Sequence, residues 1–200
     1  MITEYDQSKN KVANTSYPVM EVVRKRWSPR SFSERQIEPA DLNTLFEAAS
    51  WAPSSMNEQP WKYIYAHRHD ASFHNFLECL YPGNASWAKN AAVLLLSLSR
   101  VDHQRDGNVN RYHMYDAGAA NNTMLLQAAS MDIFGHLLGG YDMEKAKAVF
   151  KIPESLDPVC FIALGYLGAP EQLEEPFLNR ELSERSRKPV ASFAFPEKLN

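Results

Sequence analysis

Four side chains that can both donate and accept hydrogen bonds, Ser54, Ser55, Asn57 and Gln59, fall between Pro53 and Pro60. Proline restrains the backbone at both ends of that run, and hydroxyls and amides together offer either hydrogen-bonding sense. Such a loop suits the polar edge of a ring, although plain helix-to-strand turns use the same residue types. A second set is cationic. Arg24, Lys25, Arg26 and Arg30 lie within seven residues, and Arg185, Arg187 and Lys188 gather near the other end. Arginine's planar fork matches phosphate oxygens, and charge-assisted hydrogen bonds are about twice as strong as neutral ones. In a chain of net charge -3 the two clusters could converge on one small dianion, or could be solvated charge runs.

Composition narrows what such groups can serve. Two hundred residues make one domain that buries on the order of 70% of its unfolded surface. A hydrophobic share of 44% and a charged share of 22% are ordinary for a globular protein. The slight negative charge argues against nucleic-acid binding. No apolar run nears the ~20 residues of a membrane span; the longest is Ala91 to Leu96. Met1 to Asn10 is polar and has no secretory core, so a cytoplasmic location is expected. Cys79 and Cys160 lack metal-type spacing and read as buried reduced thiols. His67 and His69 have no third ligand nearby, so no metal site is expected. Asp102, His103 and the serines fit no hydrolase motif, and neither His-Glu-x-x-His nor a Gly-Lys-Ser/Thr phosphate loop occurs.

The elements that must position these residues follow from periodicity. Residues 1–16 read as a polar arm, 17–169 as the main domain and 170–200 as a C-terminal extension. Pro18 opens a helix to about Arg26, and Glu38-Pro39 begins another that ends near Ser50. Trp61 to Ala66 is a strand, and Phe73, Phe76, Leu77 and Leu80 mark a helix. Ala91 to Ser99 is a buried strand, Arg100 to Arg111 a loop, and Tyr112 to Ser130 a long helix. Ala117, Gly118, Ala119 and Ala120 let another helix approach it closely, inside the subunit or across an interface. Gly135 to Gly140 breaks that helix, Asp142 caps Met143 to Phe150, and Pro158 to Tyr166 is a third strand. Trp61 and Trp87 read as core, and His136 as a capping or packing residue that could also face a site. Three strands among five helices predict an α+β domain.

Taken in order, Arg26-x-Ser28-x-Arg30-x-Phe32, Pro53-Ser54-Ser55-x-Asn57-x-Gln59-Pro60-Trp61, Asp116-x-Gly118-x-Ala120, Leu138-Gly139-Gly140-Tyr141-Asp142, Ala163-Leu164-Gly165-Tyr166 and Arg185-x-Arg187-x-Pro189 closely resemble the FMN-dependent nitroreductase family over about residues 18–190. The resemblance implies a small, mainly antiparallel sheet surrounded by helices, and an intertwined homodimer with two FMN sites at its interface. Arg26, Ser28, Arg185 and Arg187 are then expected at the phosphate and ribityl end, and Arg30 near the N1–C2=O edge of the flavin. Pro53, Ser54, Ser55 and Asn57 are expected from the partner chain, and Leu138 and Gly139 near N5. Flavin N5 would carry the chemistry, with no catalytic side chain. The implied reaction is ping-pong hydride transfer from NADH or NADPH to a nitroaromatic, quinone or related acceptor. Heterocycle oxidation, aldehyde or enone reduction, dehalogenation and non-catalytic flavin binding are the alternatives. Met56 and Glu58 depart from the family pattern at the expected mouth of the pocket.

Overall fold

Side chains alternate across a strand, and in the central strands of this protein both faces are apolar. The computed structural model describes residues 11–199; residues 1–10 of the predicted arm lie outside the described residues. Strands β1 (Trp61–His67), β2 (Val93–Arg100), β3 (Phe134–Leu138) and β4 (Leu156–Gly165) form one antiparallel sheet in the order β1-β2-β4-β3. Trp61 pairs with Ser99, Val93 with Leu164 and Phe134 with Gly165, which fixes the register. The ladder shifts between Ser97 and Leu98, which face Cys160 and Pro158. Proline cannot donate to the ladder, so Val159 is accommodated as a bulge.

Among the described residues seven α-helices cover the sheet: α1 (Glu21–Lys25), α2 (Pro39–Ser50), α3 (Phe73–Cys79), α4 (Pro82–Ala88), α5 (His113–Ser130), α6 (Met143–Phe150) and α7 (Phe177–Leu182). On one face Val93, Leu95, Ile162 and Leu164 pack against Leu42, Leu45 and Ala49 of α2 and against Ala117, Ala120, Met124 and Ala128 of α5. On the other, Leu94, Leu96, Phe161 and Ala163 meet Phe73 and Phe76 of α3, Trp87 of α4 and Ala146 of α6. This is the predicted α+β arrangement, and both cysteines are buried free thiols. Asp142 caps α6 as expected, accepting from the Lys145 N–H at 2.9 Å.

Several boundaries need correction. Pro18 does not open α1: Val19 N–H closes a tight turn onto Tyr17 C=O, and extended Met20 precedes a helix that begins at Glu21. Among the described residues there are four strands, not three. The glycine run read as a break contains β3, because a Cβ at Gly135 would lie 2.2 Å from Leu125 and 2.7 Å from Leu164. Gly135 is what lets α5 lie against the edge of the sheet. Pro82 starts the unpredicted α4, and the C-terminal extension folds into α7 and two short 3-10 turns. No helix among the described residues is long and apolar enough to cross a membrane.

Candidate functional site

Helix α1 ends at Lys25, whose ammonium pairs with Asp132 at 2.6 Å just beyond α5. That contact, and the edge-on Trp27–Phe134 pair at 6.5 Å, hold the Arg24–Arg30 strip beside β3. The C-terminal cluster returns to the same place. Arg185 donates to the backbone oxygens of Lys11 and Arg24, both at 2.7 Å. Arg26 lies 3.3 Å from the Ser28 hydroxyl. Burial, and then the Arg187 charge, lower the pKa of Arg26; burial, then Arg26 and Arg187, do the same to Arg185. Among the described residues no carboxylate pairs with Arg26, Arg185 or Arg187. Three mutually repelling guanidiniums with no carboxylate partner among the described residues form a ready anion site.

Arg30 stands differently. Its guanidinium lies over the rings of Trp87 at 5.9 Å and Phe177 at 6.0 Å. The Arg30 and Ser31 N–H groups both donate to the carboxylate of Glu181, at 2.9 to 3.1 Å, and Glu181 is only 1% exposed. Lys11, also buried, donates to Ser183 C=O and lies 5.2 Å above Trp27. Neither Glu181 nor Lys11 stood out in the sequence, where each is one charge among many.

His136 joins β3 to this strip, with its Nδ1 at 2.9 Å from Pro29 C=O and its ring 4.8 Å from Trp87. Because the carbonyl accepts, Nδ1 carries the proton. This is the packing role expected of it. Burial pushes its pKa down from 6.5 to about 4. The unfolded chain therefore binds the proton more readily, so stability is full above about pH 6.5 and is lost as pH falls toward 4. Urea unfolding of the wild type at pH 7 and pH 5 should differ by about 2 kcal/mol from this group. His136→Gln keeps a donor for Pro29 and should lose about that much less over the same interval.

The Ser-Asn loop lies elsewhere. Ser55 N–H donates to Asp116 at 3.0 Å, in the first turns of α5, and the Ser54 hydroxyl accepts from Gln59 N–H at 3.1 Å. Met56, Asn57 and Gln59 all have positive φ, at 52°, 58° and 49°, a region costly to residues other than glycine. Met56 therefore occupies a position where glycine is conformationally natural. Among the described residues the Ser55 hydroxyl and the Asn57 side-chain amide have no partner within the chain. Glu58 is tied down beside the loop. Its carboxylate accepts from Gln104 N–H at 2.9 Å and lies 3.5 Å from His103 Nδ1, tying the 102–109 hairpin to the loop. A cleft of about 520 Å³ opens beside it, lined by Asn57, Glu58, Gln59, Lys62, Gln104 and Arg105.

The two halves do not meet in one subunit. The loop is anchored at the start of α5 and leads into edge strand β1; the arginines gather past the end of α5, beside opposite edge strand β3. An 18-residue helix is about 27 Å long. Leu138 is buried and Gly139 exposed, with nothing within 4 Å of where a Cβ would stand. Gly140 has an internal cause instead: a Cβ there would be 2.7 Å from the Asn84 amide nitrogen, which donates to Gly140 C=O. Trp61 and Trp87 are core residues, though the buried Trp87 indole N–H has no partner among the described residues. Among the described residues no cluster of three or more His, Cys, Asp or Glu side chains could hold a metal.

The model of the nitroreductase family matches residues 23–78 and 68–166. The crystal structure of an oxidoreductase containing FMN is similar over 94% of this chain and 96% of its own, with 34% identity and a TM-score of 0.87. A 15.4 kDa protein of Mycolicibacterium smegmatis is 32% identical over 126 residues, 63% of this chain and 83% of its own. A protein of Archaeoglobus fulgidus, provisionally named NADH dehydrogenase/NAD(P)H nitroreductase, is 28% identical over 155 residues, 74% of this chain and 84% of its own.

Proposed function

The chain belongs to the nitroreductase family, and from that premise we propose that it is a cytoplasmic, homodimeric FMN-dependent NAD(P)H oxidoreductase. The observation that carries this is the separation of two half-sites, one with guanidiniums that no carboxylate neutralises and the other with polar side-chain groups that no hydrogen bond satisfies, among the described residues. Arg26, Arg185 and Arg187 form a cationic cluster free of carboxylates among the described residues, which fits a dianionic phosphate. The unpartnered Ser55 hydroxyl and Asn57 amide fit the polar edge of the flavin ring. With about 21 Å of helix between the loop's anchor and the arginine end, one subunit offers each half to a different cofactor. A second copy closes both sites.

In this arrangement Arg26, Ser28, Arg185 and Arg187 hold the phosphate and ribityl end, so residues 170–200 complete the site. Pro53, Ser54, Ser55 and Asn57 of the partner subunit meet the ring. Arg30 supplies fixed positive charge beside it, and Leu138 and Gly139 bring backbone close without an obstructing side chain. Exposed apolar side chains near the loop end of α5, Trp51 at 80% and Tyr115 at 77%, suit burial against that second copy, as does Gly118, whose side is open. When bound, FMN supplies the hydride chemistry that links NADH or NADPH to a nitroaromatic, quinone or related acceptor in a ping-pong cycle. The protein's part is to bind, orient and tune. A charge-assisted hydrogen bond of roughly 1.5–3 kcal/mol from Arg30 would favour the reduced form.

Purified protein supplied with FMN is expected to be a yellow dimer that bleaches with NADH or NADPH and recolours with a nitroarene or a quinone. Protein that stays colourless after reconstitution, or that never bleaches, overturns the proposal. Comparing kcat/KM across acceptor classes then identifies the preferred one.

A further inference from the structure

Glu181 is the one acidic side chain among the described residues that faces the cationic strip from inside the protein. It lies in α7, in an extension whose other residues from 182 to 199 are almost all exposed, yet it is itself sealed from water. Both carboxylate oxygens are committed: Oε1 accepts from the Arg30 and Ser31 N–H groups, and Oε2 from Arg30 N–H. Burial of a charge on this scale persists only where it is met by hydrogen bonds and opposite charge. Opposite charge is present on two sides, in Arg30 and Lys11, which both oppose the effect of burial on the Glu181 carboxyl. Neither forms a close ion pair with it. The Arg30 guanidinium is left over Trp87 and Phe177 instead. Meanwhile Ser31 is locked from its other side, its hydroxyl donating to Ala169 C=O at 2.6 Å. The peptide carrying Arg30 is thus held by the carboxylate, while its guanidinium rests on aromatic rings and makes no hydrogen bond among the described residues.

We infer that Glu181 is a positioning residue of the flavin site, fixing the Arg30–Ser31 backbone and tempering the positive charge that Arg30 presents to the ring. The inference rests on the FMN reading above. It has two separable consequences. Loss of the acceptor leaves the buried Ser31 N–H and the part-buried Arg30 N–H without partners and loosens the strip from Arg26 to Ser31, so cofactor affinity falls. Loss of the negative charge alone leaves Arg30 less compensated, so an anionic reduced flavin is favoured and the midpoint potential rises.

The test uses three variants of the full chain. Fluorescence titration of apoprotein with FMN gives affinity, and dye equilibration under anaerobic conditions gives the potential. E181Q retains an acceptor oxygen and should bind FMN within about threefold of wild type. Its reduced-to-oxidised ratio at a fixed potential should be raised by about threefold to tenfold, the upper end being about 30 mV for two electrons. E181A should bind FMN about tenfold more weakly or worse. R30A should move the potential in the opposite direction to E181Q, which distinguishes a charge effect from general loosening. A yellow E181Q protein with wild-type or lower potential overturns the inference and leaves the FMN reading standing. A wild-type protein that never takes up FMN overturns both.

Discussion

Arg26→Ala should weaken FMN binding by about tenfold to a hundredfold while leaving the apoprotein as stable as wild type or slightly more so. The affinity loss follows from removing charge-assisted hydrogen bonds to phosphate, worth roughly 1.5–3 kcal/mol. The second half of the expectation separates a binding residue from a structural one. Arg26 is half-buried and close to Arg185 and Arg187, with no carboxylate among the described residues paired to it to offset the repulsion. Its one side-chain hydrogen bond among the described residues, to the Ser28 hydroxyl at 3.3 Å, is long for a hydrogen bond of consequence. Truncation therefore relieves repulsion at little structural loss. Titrating apoprotein with FMN and measuring its thermal unfolding tests both halves. Undiminished FMN affinity would assign the phosphate to other residues. Arg26→Lys should recover only part of the loss, since a point charge lacks the planar fork.

Much of this cluster could be read in the sequence because its chemistry is local. Arg26, Ser28 and Arg30 alternate within five residues, and Arg185 and Arg187 repeat the pattern. What the residue order does not contain is what orients them. Glu181 stands in a charged segment, Glu181-Leu182-Ser183-Glu184-Arg185, and nothing in that string tells a buried acid from a solvated one. Its burial is decided by two backbone N–H groups about 150 positions earlier. The same limit hid Lys11, which is buried against Trp27 and Ser183 through contacts across the length of the chain.

The sheet divides along similar lines. The β2 segment Val93-Leu94-Leu95-Leu96 is apolar on both faces and reads as a central strand. The edge strand β3 is five residues long and carries Gly135 in its interior, which in isolation signals a break. That glycine answers to Leu125 and Leu164, a packing demand set by α5 crossing over β4. The strand matters to the site: β3 is the edge that carries His136 and Leu138, leads into Gly139 and holds the arginine strip in place.

If each site is completed by two subunits, pairing two different defective chains should restore flavin binding that neither has alone. One chain would carry Arg26→Ala. The other would carry Ser55→Ala with Asn57→Gly, changes chosen because neither side chain has a hydrogen-bond partner among the described residues of its own subunit and because glycine suits φ 58° at Asn57. The Ser55 N–H bond to Asp116 survives both changes, so the loop stays anchored. Each homodimer should bind FMN more than about tenfold more weakly than wild type. Differently tagged chains, co-expressed and purified through both tags, give heterodimers. In a shared-site architecture one site collects all the substitutions and the other collects none, so flavin absorbance per dimer returns to about half the wild-type value. Were both half-sites to serve a cofactor within one subunit, every site in the heterodimer would be defective and the protein would stay pale. The length of α5 favours the first outcome: it holds Asp116 and Asp132 at opposite ends of a rigid rod, and no motion of loops alone brings Ser55 to Arg26.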